Sequence, residues 1–421
     1  LAGVLGIGEG HLLHRKTRRV IPGILSKSGS LLQDFPNTKF FDAGALQRLD
    51  QAIQRDVESG LYDGANIIVA RHGEIGYEAS IGWADRENEK PASPDDIYRV
   101  FSLTKAFTNV MVLQAIDRGL LALTTKVVDL IPEFYGRDRF RNGRKGNINL
   151  GHLLTHRAGL VPTPCPLPYD QLGNMDAVVD AICQLDVTGE PGVTLNYSPT
   201  LNHVLMAEMV RRASGGVRFR DLLQANLFEP LAMSSTALGA PDAWQGRYVP
   251  IRAKFPDGGW LSVADIEVMN DIINNESEMP WVGAVSTARD VFKFAETLRR
   301  ANIGASGMPL SSAMMDIATT NQTGDQPSDL YKALAEARGW EVPPANFGLG
   351  FALSGSGLYP SYFGPTTSAR TFGNYGAGST LFWVDPERDV TFVCLTAGIM
   401  EESENLMRFQ RLSTLAIAAA I

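Results

Sequence analysis

The segment RVFSLTKAFTNV, residues 99–110, places Ser102 and Lys105 three positions apart at the head of an apolar, helix-like run. A serine hydroxyl is a weak nucleophile at neutral pH and needs a base within hydrogen-bond reach. A lysine three residues along a helix lies on the same face, one turn on. Burial lowers the pKa of its ammonium, so that it can be neutral and accept the hydroxyl proton. A helix N-terminus also favours a developing oxyanion. A serine near a helix start is equally a common cap, so the tetrapeptide by itself leaves both readings open.

Two further stretches carry compatible chemistry. GVTLNYSPTLNHVL, residues 192–205, sets Tyr197-Ser198 in a loop just before a helix. A tyrosine hydroxyl near a lysine can shuttle a proton between nucleophile and leaving group; a plain core tyrosine is the alternative. In FGNYGAGSTLFWVDP, residues 372–386, Gly373, Gly376 and Gly378 punctuate the entry to a strand. Such glycines let a backbone approach another group closely. The N–H groups of an edge strand beside a nucleophile make half an oxyanion hole; a simple turn between strands would carry the same glycines.

The elements that would position these residues follow from periodicity. Residues 42–60 show a helical stripe at 46, 49, 53 and 57, with Asp42 as N-cap and Gly60 past the end. Two β-rich runs flank the turn signal RHGE and read as a hairpin. Residues 101–118 are expected to be helical up to Gly119, and LGHLLTHRAGL to form a short helix ended by Gly159. The four prolines of VPTPCPLPYD demand an extended loop. Helices are expected at 200–214 and 218–228, and at 286–301 with a serine N-cap. Strands return in FGLGFAL, GSTLFWV and DVTFVCLTAG before a C-terminal helix. With strands at both ends and helices between, the expected organisation is an N-terminal extension over 1–41, a discontinuous α/β domain from 42–98 and 285–421, and a mainly helical domain at 99–284.

Composition narrows the function classes. The chain of 421 residues is 44% hydrophobic and 20% charged, a globular balance. Its net charge of −8 argues against nucleic acid or an anionic membrane as the main partner. The one basic cluster, His14-Arg15-Lys16 with Arg18-Arg19, reads as a solvated terminal segment. Cys165, Cys183 and Cys394 are widely spaced and odd in number, so neither a disulfide framework nor a metal site is expected, and no cofactor. No stretch reaches the ~20 apolar residues of a membrane span. The apolar start at Leu1 has no basic region before it and no small-x-small site, so it is not read as a signal peptide. The expected location is cytoplasmic; the oligomeric state is left open.

Taken in order, the three stretches resemble the serine β-lactamase-like superfamily, which holds class C β-lactamases, D,D-peptidases and family VIII carboxylesterases. SLTKAFTNVMVLQAIDRGLLALTTKVVDLIPEF is similar to the nucleophile helix and the segment after it, LGHLLTHRAGL to a histidine-containing block, and GEPGVTLNYSPTLNHVLMAEMVRRASG to the tyrosine loop. FGLGFAL and FGNYGAGSTLFWVDPERDVTFVCLT resemble the closing strands, so the resemblance covers roughly residues 42 to 415. It implies an α+β fold, with an antiparallel sheet flanked by helices and an inserted helical domain. It implies Ser102 as nucleophile, Lys105 as base and Tyr197 as second member of the relay. The N–H groups of Ser102 and Ala377 would form the oxyanion hole, and His156 would be structural.

Two departures bear on the substrate. Asn374-Tyr375-Gly376 stands where the family usually has Lys-Thr-Gly or His-x-Gly, so the cation that holds a substrate carboxylate is missing. Pro199 replaces the asparagine of the class C tyrosine box. Both weaken β-lactam and peptide recognition and leave acylation intact. The expectation is a family VIII-type carboxylesterase acting on a neutral small-molecule ester. Asn374, Tyr375 and Gly376 would line the binding site, and Tyr375, Trp383 and the 161–168 loop would supply an apolar pocket. The alternatives are an acyltransferase serving a natural-product alcohol, a β-lactamase or D-amino-acid peptidase, and a catalytically silent scaffold.

Overall fold

A computed structural model describes residues 38–140, 143–163, 166–256 and 262–421. The basic cluster at 14–19, Cys165 and most of the expected N-terminal extension lie outside the described residues. The ends of the described chain meet in one antiparallel sheet. Strands β1 (Gly64–Arg71), β2 (Glu74–Asp85) and β3 (Lys90–Pro91) come from its N-terminal side. After β4 (Tyr98–Arg99), β5 (Ala237–Leu238) and β6 (Ala284–Ser286), the later strands are β7 (Ala352–Leu353), β8 (Phe372–Gly376), β9 (Thr380–Asp385) and β10 (Val390–Ala397). The seven-stranded order is β3-β2-β1-β10-β9-β8-β7, while β4-β6-β5 form a small second sheet. β1 and β10 pair in unbroken register from Gly64–Ala397 to Arg71–Val390. Both are buried almost throughout, as expected of central strands covered on two faces.

Alternation along β9 shows the two faces. Phe382 meets Phe294 of the helix Ala288–Asn302 with ring centres 5.6 Å apart. Its neighbour Trp383 points the other way and donates from Nε1 to Ser413 Oγ at 2.9 Å, on the C-terminal helix Glu402–Ala419. That helix packs with Ala43–Ser59, and Arg411 Nη2 reaches Asp56 Oδ1 at 2.7 Å. Ala43–Ser59 forms for the reasons in its sequence. Asp42 Oδ1 accepts the Ala45 N–H at 2.6 Å, Gly60 takes φ +80° at the end, and Leu46, Leu49, Ile53 and Val57 are buried.

The structure changes three local expectations. The helix at 286–301 is capped by Thr287, whose side chain accepts from Asp290 N, because Ser286 is spent as the last residue of β6. The helix expected to run to Gly159 stops at Leu154. His156 turns to φ +54°, and its carbonyl accepts the Asn196 N–H at 2.9 Å, tying this bend to the tyrosine loop. FGLGFAL yields only the two-residue β7, since Gly350 adopts φ +84° and Gly348 N–H closes a turn on Phe351 O.

The helix Thr104–Asp117 lies in the middle of the molecule and is buried on all sides from Thr104 to Ala115. That fits its largely apolar sequence, and its buried polar side chains Lys105, Thr108 and Asn109 find partners inside. Phe107 is wedged between Phe294 and Phe228, at 4.8 and 5.3 Å. Among the described residues, no helix is long and apolar enough to cross a membrane.

Candidate active site

Ser102 lies in a 3-10 turn, Phe101–Leu103, immediately before the central helix. The turn is reached through Phe101 at φ +49°, a conformation that costs a non-glycine residue roughly 1–3 kcal/mol. Packing over-determines it: Phe101 is buried, Val100 N–H donates to Ala284 O at 3.0 Å, and Ala284 N–H donates to Thr104 Oγ1 at 3.0 Å. The serine is thereby held on a braced corner.

Lys105 follows one turn later and is 4% exposed. Its Nζ donates to Ser102 Oγ at 2.9 Å and to Trp281 O at 3.0 Å. No carboxylate forms an ion pair with it among the described residues. Burial therefore acts unopposed and pushes its pKa down to about 7. Tyr197 presents its ring to the ammonium at 5.8 Å. Burial pushes its phenol up to about 12, and hydrogen bonding to Ser102 works against that rise. At neutral pH the lysine is thus partly free base, while the tyrosine keeps its proton.

The tyrosine is positioned from three sides. His156 lies against its ring at 4.7 Å. The His156 Nδ1 accepts the Ser198 N–H at 3.2 Å, and Ser198 Oγ accepts the Leu201 N–H at 3.1 Å at the head of the helix Leu201–Ala213. Asp329 Oδ2 accepts the Tyr197 N–H at 2.9 Å. Burial and the nearby Lys105 push His156 down to about 3, so it is neutral and acts as an acceptor and a packing surface.

The third stretch reaches the serine because β7 is short. β7 pairs only with Phe372 and Gly373, so the edge of β8 is uncovered from Asn374 onward. Gly376 allows the contact that follows. A Cβ there would lie 2.4 Å from Val100 O and 2.4 Å from Thr380 Oγ1. Ala377 comes next, and neither its N–H nor that of Ser102 has a backbone acceptor among the described residues.

Ser102, Lys105, Tyr197, His156, His203, Phe347, Gly350, Ala352, Asn374 and Tyr375 enclose a cavity of about 20 Å³, room for one water. Of the expected binding residues, Asn374 and Tyr375 line it and Gly376 does not. Trp383 is not part of it: fully buried, it stacks on Phe392 at 5.2 Å on the far face of the sheet. Pro199 is not a lining residue, nor is any described residue of 161–168; Phe347 and Ala352 supply the apolar wall instead.

Several participants carried no signal in the sequence. Trp281 acts through its carbonyl, which any residue type has. The helix Asp329–Arg338 spans the site, with Asp329 on the Tyr197 loop, the Tyr331 hydroxyl on the Tyr375 hydroxyl, and Arg338 on Ser403 and Glu404. Tyr362 lies tilted against Tyr375 at 4.2 Å and hydrogen-bonds Glu402, whose other oxygen accepts the Gly378 N–H at 3.3 Å. Burial pushes the Tyr375 phenol and the Glu402 carboxyl upward. Among the described residues, no group of three or more His, Cys, Asp or Glu could hold a metal.

A serine and a buried lysine in contact, a protonated tyrosine beside them and a free strand edge suffice for acyl transfer. Comparisons with known proteins converge on the same architecture. Esterase EstB of Burkholderia gladioli is 33% identical over 194 residues, 43% of this chain and 48% of that protein. The chain thus aligns with about half the length of that curated relative. EstCE1, described as a hydrolase with promiscuous acyltransferase activity, superposes with a TM-score of 0.71 at 20% identity, covering 88% of this chain and 98% of the other. A family VIII carboxylesterase structure gives 0.70 at 18% identity, with 88% and 97% covered. These two likenesses establish the β-lactamase/penicillin-binding-protein-like fold expected from the sequence. The family profile described as beta-lactamase matches residues 49–414, from the first helix to the last, and the chain belongs to that family.

Proposed function

We propose that the protein is a carboxylesterase that works through an acyl-enzyme on Ser102. The observation that carries the reading is the 2.9 Å contact between Ser102 Oγ and a Lys105 amine whose pKa burial brings to about 7. Lys105 takes the hydroxyl proton as Ser102 Oγ attacks the ester carbonyl. The oxyanion is received by the N–H groups of Ser102 and Ala377. The carbonyl re-forms, the ester C–O bond breaks, and Tyr197 gives its proton to the departing alkoxide. The tyrosinate then recovers a proton from the Lys105 ammonium. Water attacks the acyl-enzyme by the same relay in reverse, releasing the acid and restoring Ser102.

The pKa values divide the roles: at pH 7 a group titrating near 7 supplies free base, while one titrating near 12 remains an acid. The similarity to EstB, named an esterase, supports the choice of ester as substrate. So does Asn374 in place of a cation, since the pocket lining then holds no fixed positive charge beyond the lysine itself. The test is Ser102→Ala with p-nitrophenyl butyrate. Activity is expected to fall roughly a thousand-fold or more, because a relay without its nucleophile retains little catalysis. Retention of the parent rate would mean that another group attacks.

An acyltransferase shares every residue of this mechanism, and the similarity to EstCE1 favours it as the second reading. An alcohol acceptor added during turnover would divert acyl groups from acid to new ester. Both readings fit the cytoplasmic location expected from the sequence, which cell fractionation checks.

A further inference from the structure

What the ester carries besides its carbonyl is indicated by Asn374. This side chain is only 9% exposed, and its Oδ1 has no hydrogen-bond partner. Its Nδ2 donates to Gly350 O at 3.4 Å. The same carbonyl accepts Asn109 Nδ2 at 2.7 Å, while Gly350 N–H is held by Leu154 O and Gly348 O, each at 3.0 Å. Gly350 itself cannot shift toward the helix, since even a Cβ at this φ +84° residue would lie 2.4 Å from Asn109 Cγ. Its carbonyl is therefore a fixed acceptor. Turning the Asn374 amide over would set oxygen against oxygen, so the nitrogen belongs on Gly350 and the oxygen is the free end. Asn374 lines the same one-water cavity as Ser102, Lys105 and Tyr197, and an ester that widens this cavity to reach Ser102 also uncovers its Oδ1.

Leaving a buried acceptor unpaired is costly, and the expense is recovered only when a donor arrives. Two nearby donors are already committed: Lys105 donates to Ser102 and Trp281, and Asn109 to Gly350. The chemistry of that donor follows from the lining residues. They include no carboxylate, so a cationic group would be buried without a counter-charge. An anionic group would face the Asn374 oxygen lone pairs. A neutral hydroxyl or amide N–H meets neither obstacle.

Resting on the esterase reading above, we infer that the preferred substrates are uncharged esters with a hydroxyl or amide N–H close to the ester carbonyl, donated to Asn374 Oδ1. The residue at this position thus selects for a hydrogen-bond donor on a neutral substrate. A site that has a buried acceptor to satisfy discriminates strongly against an analogue lacking the donor.

The test uses the full chain and three esters of similar size: ethyl butyrate, ethyl 3-hydroxybutyrate with the donor on the acyl side, and 2-hydroxyethyl butyrate with the donor on the alcohol side. One hydroxylated ester is expected to exceed ethyl butyrate in kcat/KM by roughly 5- to 100-fold, the effect of one buried hydrogen bond. Which one does so locates the donor. In Asn374→Leu, of similar shape but without the acceptor, that ratio is expected to fall to about one. Equal kcat/KM for all three esters in the parent protein overturns the inference without any variant, and leaves ester hydrolysis standing. A preference that survives Asn374→Leu overturns it as well. If no ester is turned over and a fluorophosphonate leaves Ser102 unlabelled, the esterase reading falls and this inference falls with it.

Discussion

At the scale of single residues, the site rests on a buried lysine that has no carboxylate partner among the described residues. Removing solvent from an ammonium disfavours its charged form, and nothing beside Lys105 restores it. The direction of the pH dependence follows. As the proposed base, Lys105 would act when deprotonated, so kcat/KM for a neutral ester should rise about tenfold per pH unit below pH 7 and level off above it. Tyr197, pushed up to about 12, keeps its proton across that plateau. A pH–rate profile between pH 5 and 10 checks this; an inflection near pH 10 in place of pH 7 would mean that the lysine behaves as if in water. These residue types and their order were legible in the sequence because chemistry constrains side-chain identity. The partners that tune them were not. Trp281 contributes only a carbonyl, and the burial of Lys105 is produced by the whole central helix; of the partners, the resemblance singles out only His156, as structural.

At the scale of elements, one short strand decides access to the serine. Because β7 begins only at Ala352, opposite Gly373, β8 keeps a free edge from Asn374 onward, and Gly376 lets that edge touch the Ser102 corner. Gly376→Ala should drive β8 off the corner and displace the Ala377 amide. The expected loss in kcat is about 10²–10³-fold, the effect of removing one oxyanion donor. It is measured with p-nitrophenyl butyrate beside a thermal melt that verifies folding. The helix Asp329–Arg338 acts on the other side. Arg338 is half-exposed and ties the end of this helix to Glu404 at 2.9 Å. Arg338→Ala should loosen the cover and speed fluorophosphonate labelling of Ser102 by at most about 5-fold, the equivalent of the ~1 kcal/mol of a surface pair. Slower labelling would show that the helix assembles the site. Helices with clear caps and stripes, such as Ala43–Ser59, could be read from sequence. A strand could be read in FGLGFAL, but not how short β7 is, because its length is set by turns at Gly348 and Gly350 whose geometry depends on distant partners.

At the scale of the whole molecule, the sheet is assembled from the two sides of the chain, and its centre is the pairing of β1 with β10. The alternation of strands, helices and strands announced such an arrangement; the strand order and register did not follow from it, since pairing across hundreds of residues leaves no local mark. That topology has a consequence for synthesis. A ribosome makes β1 about 330 residues before the last residue of its partner, which at 5–20 residues per second is roughly 15–65 s. Through that interval the apolar run Ala65–Ala70 exposes a row of unpaired amides and carbonyls, an open template for association with other chains. Only when β10 emerges does the edge close, and the strand carrying Asn374 and Gly376 is made just ahead of it. The nascent protein is therefore expected to depend on holdase chaperones far more than the folded protein does. Raising chaperone levels or slowing growth by cooling should increase soluble yield while leaving the melting temperature of the purified protein unchanged.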